Sequence, residues 1–218
     1  MFPWQKSSRF AVRLCRRGEH SGCSALLPDG FVPEKKEAME HKIVKIKDKE
    51  FKPYIEAKDI DRIICQLAER LNRDYAGKKP LLVAILNGAF IFAADLVKKL
   101  DFPCRISLIK VSSYSGTEST HNVCELIGLQ ESIKDEDVII VEDIVDTGVT
   151  MEHLLARMKK EQPKSLAICS LLFKPDKFTK DYKIDYIGKS IPNQFVVGYG
   201  FDYDGFGRNL PDIYQLNE

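Results

Sequence analysis

The sequence predicts an α/β domain with a mostly parallel central sheet flanked by helices. Short apolar runs alternate along the chain with segments whose apolar residues recur at helical spacing. The runs are apolar throughout, as in strands covered on both faces. At 218 residues the chain suffices for one full core and falls short of two ordinary domains.

Regular patterning begins near Met39, with Ile43, Val44 and Ile46. Ile60, Ile63, Ile64, Leu67 and Leu71 make one amphipathic helix, ending near Gly77 and Pro80. Leu81 to Leu86 is a buried strand, and Asn87-Gly88 turns the chain into a second helix from Phe90 to about Leu100. Ile106 to Val111 is a strand. The polar stretch Ser112 to Asn122 has little to bury and is long enough for a lid. Val138 to Val141 is the next strand, Met151 to Lys160 a helix with Leu154, Leu155 and Met158 on one face, and Leu166 to Phe173 another strand.

Residues 1–38 stand apart, with Lys6, Arg9, Arg13, Arg16 and Arg17 ahead of any acid and no packing period. A disordered extension or too early a start is expected there, with an organelle transit peptide as the alternative; no apolar core of export-signal length is present. Residues 39–218 are expected to form one domain.

Charge is balanced, 33 basic against 32 acidic residues, so no global field favours nucleic acid or an anionic membrane. No apolar run approaches the roughly 20 residues of a membrane span. Cys15, Cys23, Cys65, Cys104, Cys124 and Cys169 lack metal-ligand or disulfide-framework spacing and read as reduced cytosolic thiols. His20, His41, His121 and His153 show no ligand spacing. A cytoplasmic protein with small-molecule ligands is expected.

The chemistry concentrates in Val138 to Thr150: a buried strand, the acidic pair Glu142 and Asp143, a loop through Asp146, then Thr147-Gly148-Val149-Thr150 opening a helix. Such a helix start offers free N–H groups, two hydroxyls and a dipole that favours an anion, which makes it a phosphate cradle. Bare carboxylates beside it would repel phosphate, but a phosphorylated sugar resolves the conflict. Its hydroxyls donate to Glu142 and Asp143, with magnesium sharing the charge, and its phosphate reaches residues 147–150. Asp146 is left to handle a proton. A P-loop is excluded, because the second Gly and the Lys are missing; Gly198-Tyr-Gly200 has Tyr203 where a dinucleotide fingerprint needs Gly. A solvated loop in which Asp or Thr caps the helix is the competing structural reading.

This segment resembles the phosphoribosyl-diphosphate signature of type I phosphoribosyltransferases. Leu86-Asn87-Gly88, Ser113-Tyr114, Lys174 and Phe195 through Asp202 to Arg208 resemble the hypoxanthine-guanine members, from about Lys42 to the C-terminus. The resemblance implies the type I fold, with a small hood built from N- and C-terminal pieces, an active site at the carboxyl ends of the strands, and a homo-oligomer, dimer or tetramer. Glu142 and Asp143 would hold ribose hydroxyls and Thr147, Gly148, Val149 and Thr150 the 5′-phosphate. Asp146 would accept or share the purine N7 proton. Lys174 would donate to the C6 oxygen, Phe195 would stack on the base, and Val196 and the backbone around Asp202 would complete the purine contacts. Leu86, Asn87, Gly88 and Arg208 would bind pyrophosphate, and Ser113 and Tyr114 would belong to the lid. Mg²⁺ is the implied cofactor, with Glu142, Asp143 and Asp202 as its contacts. The first peptide of Leu86-Asn87-Gly88 is often cis in this family, and many relatives have Lys where Asn87 stands. A regulatory sensor lacks a basic docking face here, and a pyrimidine would leave Asp146 without N7; xanthine stays open beside hypoxanthine and guanine.

Overall fold

The computed structural model describes residues 43–113, 124–129 and 131–217. Residues 1–38 and Tyr114 therefore lie outside the described residues. Ser112 and Ser113, expected in the lid, are the last residues of a strand, and residues 115–122 of the expected lid also lie outside.

The elements run β1 (Val44–Ile46), β2 (Lys49–Ile55), α1 (Ala57–Asp74), β3 (Leu81–Leu86), α2 (Phe90–Val97), β4 (Arg105–Ser113), β5 (Cys124–Ile127), β6 (Asp137–Val145), α3 (Val149–Lys160), β7 (Ser165–Phe173), β8 (Tyr186–Ser190), β9 (Val196–Val197) and β10 (Ile213–Leu216). One sheet has the order β5-β4-β3-β6-β7-β8, parallel except for β5 against β4. A second, antiparallel sheet joins β1 and β2 to β10 and β9, so the hood unites both ends of the described chain.

The uniformly apolar strands still alternate. Leu82 and Ala84 of β3 join the core beneath α1 and α2, while Leu81, Val83 and Ile85 join the core beneath α3. In α1 the buried stripe is Ile60, Ile64, Leu67, Ala68 and Leu71, with Ile63 half-buried at its edge. α2 stops at Val97, short of the Leu100 that its pattern predicted, because the chain turns there through Lys99 and Leu100 N–H bonds to Leu96 and Val97.

The crevice comes from the strand order. β4 lies on one side of β3, and the later β6 lies on the other, so the carboxyl ends of β3 and β6 flank a topological switch point. β6 also outruns its β3 pairing, which ends at Ala84 and Val141, while its β7 pairing continues to Val145 and Phe173. Glu142 and Asp143 thus lie inside the strand and not after it, a correction to the sequence reading whose cause is the equal length of β7.

The hood is tied to the main sheet by a long-range cap. Ala57 N–H, at the start of α1, donates to Asp212 Oδ1 at 2.7 Å. Replacing Asp212 by Ala removes this acceptor, and a loss of about 0.5–2 kcal/mol is expected in urea unfolding. Among the described residues, no helix is long and apolar enough to cross a membrane.

Candidate active site

Register explains how the site assembles. Val145 of β6 pairs with Phe173 of β7, and Lys174 N–H continues the ladder to Val145 O at 3.0 Å. The residues that follow, Asp146 and Lys174, are therefore neighbours, and Lys174 Nζ donates to Asp146 Oδ2 at 3.0 Å. Lys174 is only 7% exposed, so it is not the solvated strand end its sequence context allows. A buried ammonium needs such a partner. Lys177 Nζ stands 3.6 Å from the same oxygen, whereas Asp146 Oδ1 is buried without a hydrogen-bond partner.

Beyond Asp146 the chain enters α3 through Gly148, whose φ of 81° places it in the left-handed region. The N-cap residue Gly148 has no side chain to cap α3; Thr147 Oγ1 accepts from Val149 N–H at 3.5 Å, and the next N–H groups of the first turn have no side-chain cap. Thr147, Val149 and Thr150 are exposed beside a cavity of about 140 Å³ that Glu142 and Asp146 also line. The loop is supported from below: Tyr182 O–H donates to Gly148 O at 2.9 Å, and a Cβ at Gly148 would lie 2.6 Å from that hydroxyl and 2.7 Å from Phe178.

Glu142 Oε2 is buried and has no hydrogen-bond partner. Burial, and then the Asp143 charge beside it, pushes the Glu142 carboxyl well above the usual carboxylate range. Burial also raises Asp143, against the hydrogen bond from Glu142, backbone hydrogen bonds and, least, the charge of Arg208. Two crowded carboxylates with an orphaned oxygen suit hydroxyl donors and a cation. Among the described residues no three metal-ligating side chains converge. The unpartnered Glu142 Oε2 and the adjoining Asp143 carboxylate are hard oxygen donors of the kind that suit a magnesium ion.

Asp143 packs directly on the Leu86-Asn87-Gly88 turn, where the Leu86–Asn87 peptide is cis and a Cβ at Gly88 would overlap the Asp143 carboxylate. From the hood, Gly200 closes on Gly88 O. Arg208 donates to Gly200 O at 2.6 Å and pairs with Asp202 Oδ1 at 2.5 Å, while Asp202 Oδ2 accepts from Gly205 N–H at 2.7 Å. Asp202 and Arg208 are a built pair, although Asp202 also serves a turn. Phe195 is 44% exposed, with Tyr203 edge-on at a centroid distance of 5.9 Å, while Val196 is buried in β9.

The sequence matches the Phosphoribosyl transferase domain over residues 54–204. It is 43% identical over 159 residues to a hypoxanthine-guanine phosphoribosyltransferase of Staphylococcus aureus, covering 72% of this chain and 89% of that protein. The chain belongs to the hypoxanthine-guanine phosphoribosyltransferase family. A hypoxanthine-guanine-xanthine phosphoribosyltransferase of Tritrichomonas foetus is 42% identical, over 73% of this chain and 88% of the relative. The crystal structure of a hypoxanthine-guanine phosphoribosyltransferase from Bacillus anthracis superposes with a TM-score of 0.71 at 34% identity, over 79% of this chain and all of that one. The fold is thus the type I phosphoribosyltransferase fold, hood included.

Within this phosphoribosyltransferase, sequence reading missed Lys177, Tyr182 and Gly200. Lys177 follows Lys174 by three residues in a short 3-10 turn, a spacing that could have flagged it. Gly200 lies within the Phe195 to Arg208 stretch that carries the resemblance, but no role is attached to it there. Tyr182 carries no local signal.

Proposed function

We propose that this enzyme salvages purines, transferring the 5-phosphoribosyl group of phosphoribosyl diphosphate to N9 of hypoxanthine or guanine and releasing pyrophosphate with IMP or GMP. The observation that carries the substrate class is the Asp146–Lys174 pair with one Asp146 oxygen left open. A 6-oxopurine presents O6 and N7 side by side on one edge, both acceptors when N7 is unprotonated. Lys174 donates to O6, and Asp146 Oδ1 takes the N7 proton as N9 bonds to the ribosyl carbon and the carbon–pyrophosphate bond breaks. Adenine would set an amino donor against the Lys174 ammonium.

Phe195 supplies the stacking face and Val196 backbone contacts to the base. Residues 147–150 bind the 5′-phosphate, Glu142 and Asp143 accept from the ribose hydroxyls, and the Leu86-Asn87-Gly88 turn and Arg208 address pyrophosphate. Glu142, Asp143 and Asp202 would hold magnesium, which would neutralise charge on the donor when bound. Ser113 and Tyr114 belong to a lid that excludes water from the oxocarbenium-like centre. Residues 39–218 act as the catalytic domain in the cytoplasm, behind an extension of residues 1–38. A dimer or tetramer is supported by the exposed apolar side chains Phe90, Ile106 and Leu108.

The test is a spectrophotometric assay with magnesium and donor, offering hypoxanthine, guanine, xanthine and adenine separately. Turnover of 6-oxopurines without adenine is expected, and turnover of none, with donor binding intact, overturns the reading. Lys174→Gln is expected to lower kcat/KM for hypoxanthine by about 10²-fold, the loss of roughly 2.7 kcal/mol of charge-assisted bonding. It should narrow the gap to adenine, because a Gln amide can present an acceptor to the amino group.

A further inference from the structure

Tyr199 occupies an unusual backbone. Its φ is 51°, between Gly198 at 94° and Gly200 at 103°, a left-handed run that a residue with a Cβ adopts only when its surroundings impose it. Main-chain bonds hold this turn, Tyr199 N–H to Leu210 O at 2.8 Å and Gly200 N–H to Arg208 O at 3.0 Å, and it aims the buried Tyr199 side chain at α2, where the hydroxyl donates to Asp95 Oδ2 at 2.6 Å. Burial, and then that bond, pushes Tyr199 far above the ordinary phenol, so the hydroxyl stays a donor.

The bond has a mechanical consequence. α2 starts directly after the Leu86-Asn87-Gly88 turn, so Asp95 and Gly88 belong to one turn-and-helix unit. The hood loop meets that unit at two points, through Tyr199 on Asp95 and through Gly200, whose Cα closes on Gly88 O. The far side of the same loop carries Arg208, bonded to Gly200 O, and Asp202 paired to Arg208.

We propose that Tyr199 and Asp95 are positioning residues that pin the hood loop onto the α2 unit and thereby set the spacing between the two halves of the pyrophosphate site, the Gly88 turn and the Asp202–Arg208 pair. This rests on the pyrophosphate roles proposed above. It assigns the pair to the donor side alone: neither residue addresses the purine.

The experiment compares wild type, Y199F, D95A and the double variant in steady-state kinetics, alongside calorimetric binding of pyrophosphate with magnesium. Y199F deletes one oxygen and is expected to raise KM for phosphoribosyl diphosphate and Kd for magnesium pyrophosphate each about tenfold, with kcat and the hypoxanthine KM within about twofold. The double variant should be no worse than D95A, because both changes remove one bond. Lys98 also pairs with Asp95, through Oδ1 at the rim, and K98A should leave donor KM unchanged. Unchanged donor KM and pyrophosphate Kd in Y199F, or donor and base KM rising together, overturns the pin. A wild type that turns over no 6-oxopurine overturns the functional reading instead, and one that also fails to bind magnesium pyrophosphate overturns both.

Discussion

Exchange of Asp146 for Asn is expected to lower kcat with hypoxanthine by about 10²- to 10⁴-fold, the range a positioned base contributes, while donor KM stays near the wild-type value. The amide keeps the shape of the side chain and can still accept from Lys174, but it cannot take the N7 proton. The geometry explains why the loss falls on kcat: Oδ2 is occupied by Lys174 and Lys177, and only Oδ1 is open to the base. Single-turnover measurements at saturating donor and base isolate the chemical step. A decrease below about tenfold would mean that the proton leaves by another route. Because the exchange also removes the charge opposite a buried ammonium, thermal unfolding should accompany the kinetics, so that a loss of folded enzyme is not counted as lost chemistry.

The order of the main-sheet elements was legible because each follows from a local pattern. Leu81 to Leu86 and Val138 to Val141 announce buried strands by composition, and Ile60 to Leu71 announces a helix by spacing. The placing of the acidic pair beside a helix start was legible for the same reason, since strand, carboxylates, loop and helix start are contiguous. What the sequence could not show depends on register and on contacts between distant residues. Lys174 reads as a surface lysine until β6 and β7 are aligned, and only the pairing of Val145 with Phe173 turns it into the buried partner of Asp146. β6 could not be followed past Val141 by hydrophobicity, because Glu142 and Asp143 interrupt the apolar run while β7 still supplies hydrogen bonds. Asp212 capping α1 and Tyr199 reaching Asp95 join residues more than a hundred positions apart, and nothing near either one marks the partner.

The second large effect is expected at a residue with no side chain. Gly88→Ala should lower kcat/KM for phosphoribosyl diphosphate by about 10²-fold or more, roughly 2.7 kcal/mol of lost transition-state stabilisation, with little change in hypoxanthine KM. The new methyl group would overlap the Asp143 carboxylate, so either the turn or the carboxylate must move. The turn has little room, because Gly200 already rests on Gly88 O from the hood side. The Asp143 carboxylate could escape only by rotating its side chain, which would take it off its hydrogen bond with Glu142. Both possible displacements disturb groups assigned to the donor. The overlap should also cost about 1–3 kcal/mol of stability, as crowding a packed site does. A second substitution separates the two effects: in Gly88→Ala with Asp143→Ala the carboxylate is gone, so stability should recover while activity stays low. Recovery of activity together with stability would show that Asp143 is not needed for turnover, and an unaffected donor KM in the single variant would show that this turn does not meet the donor.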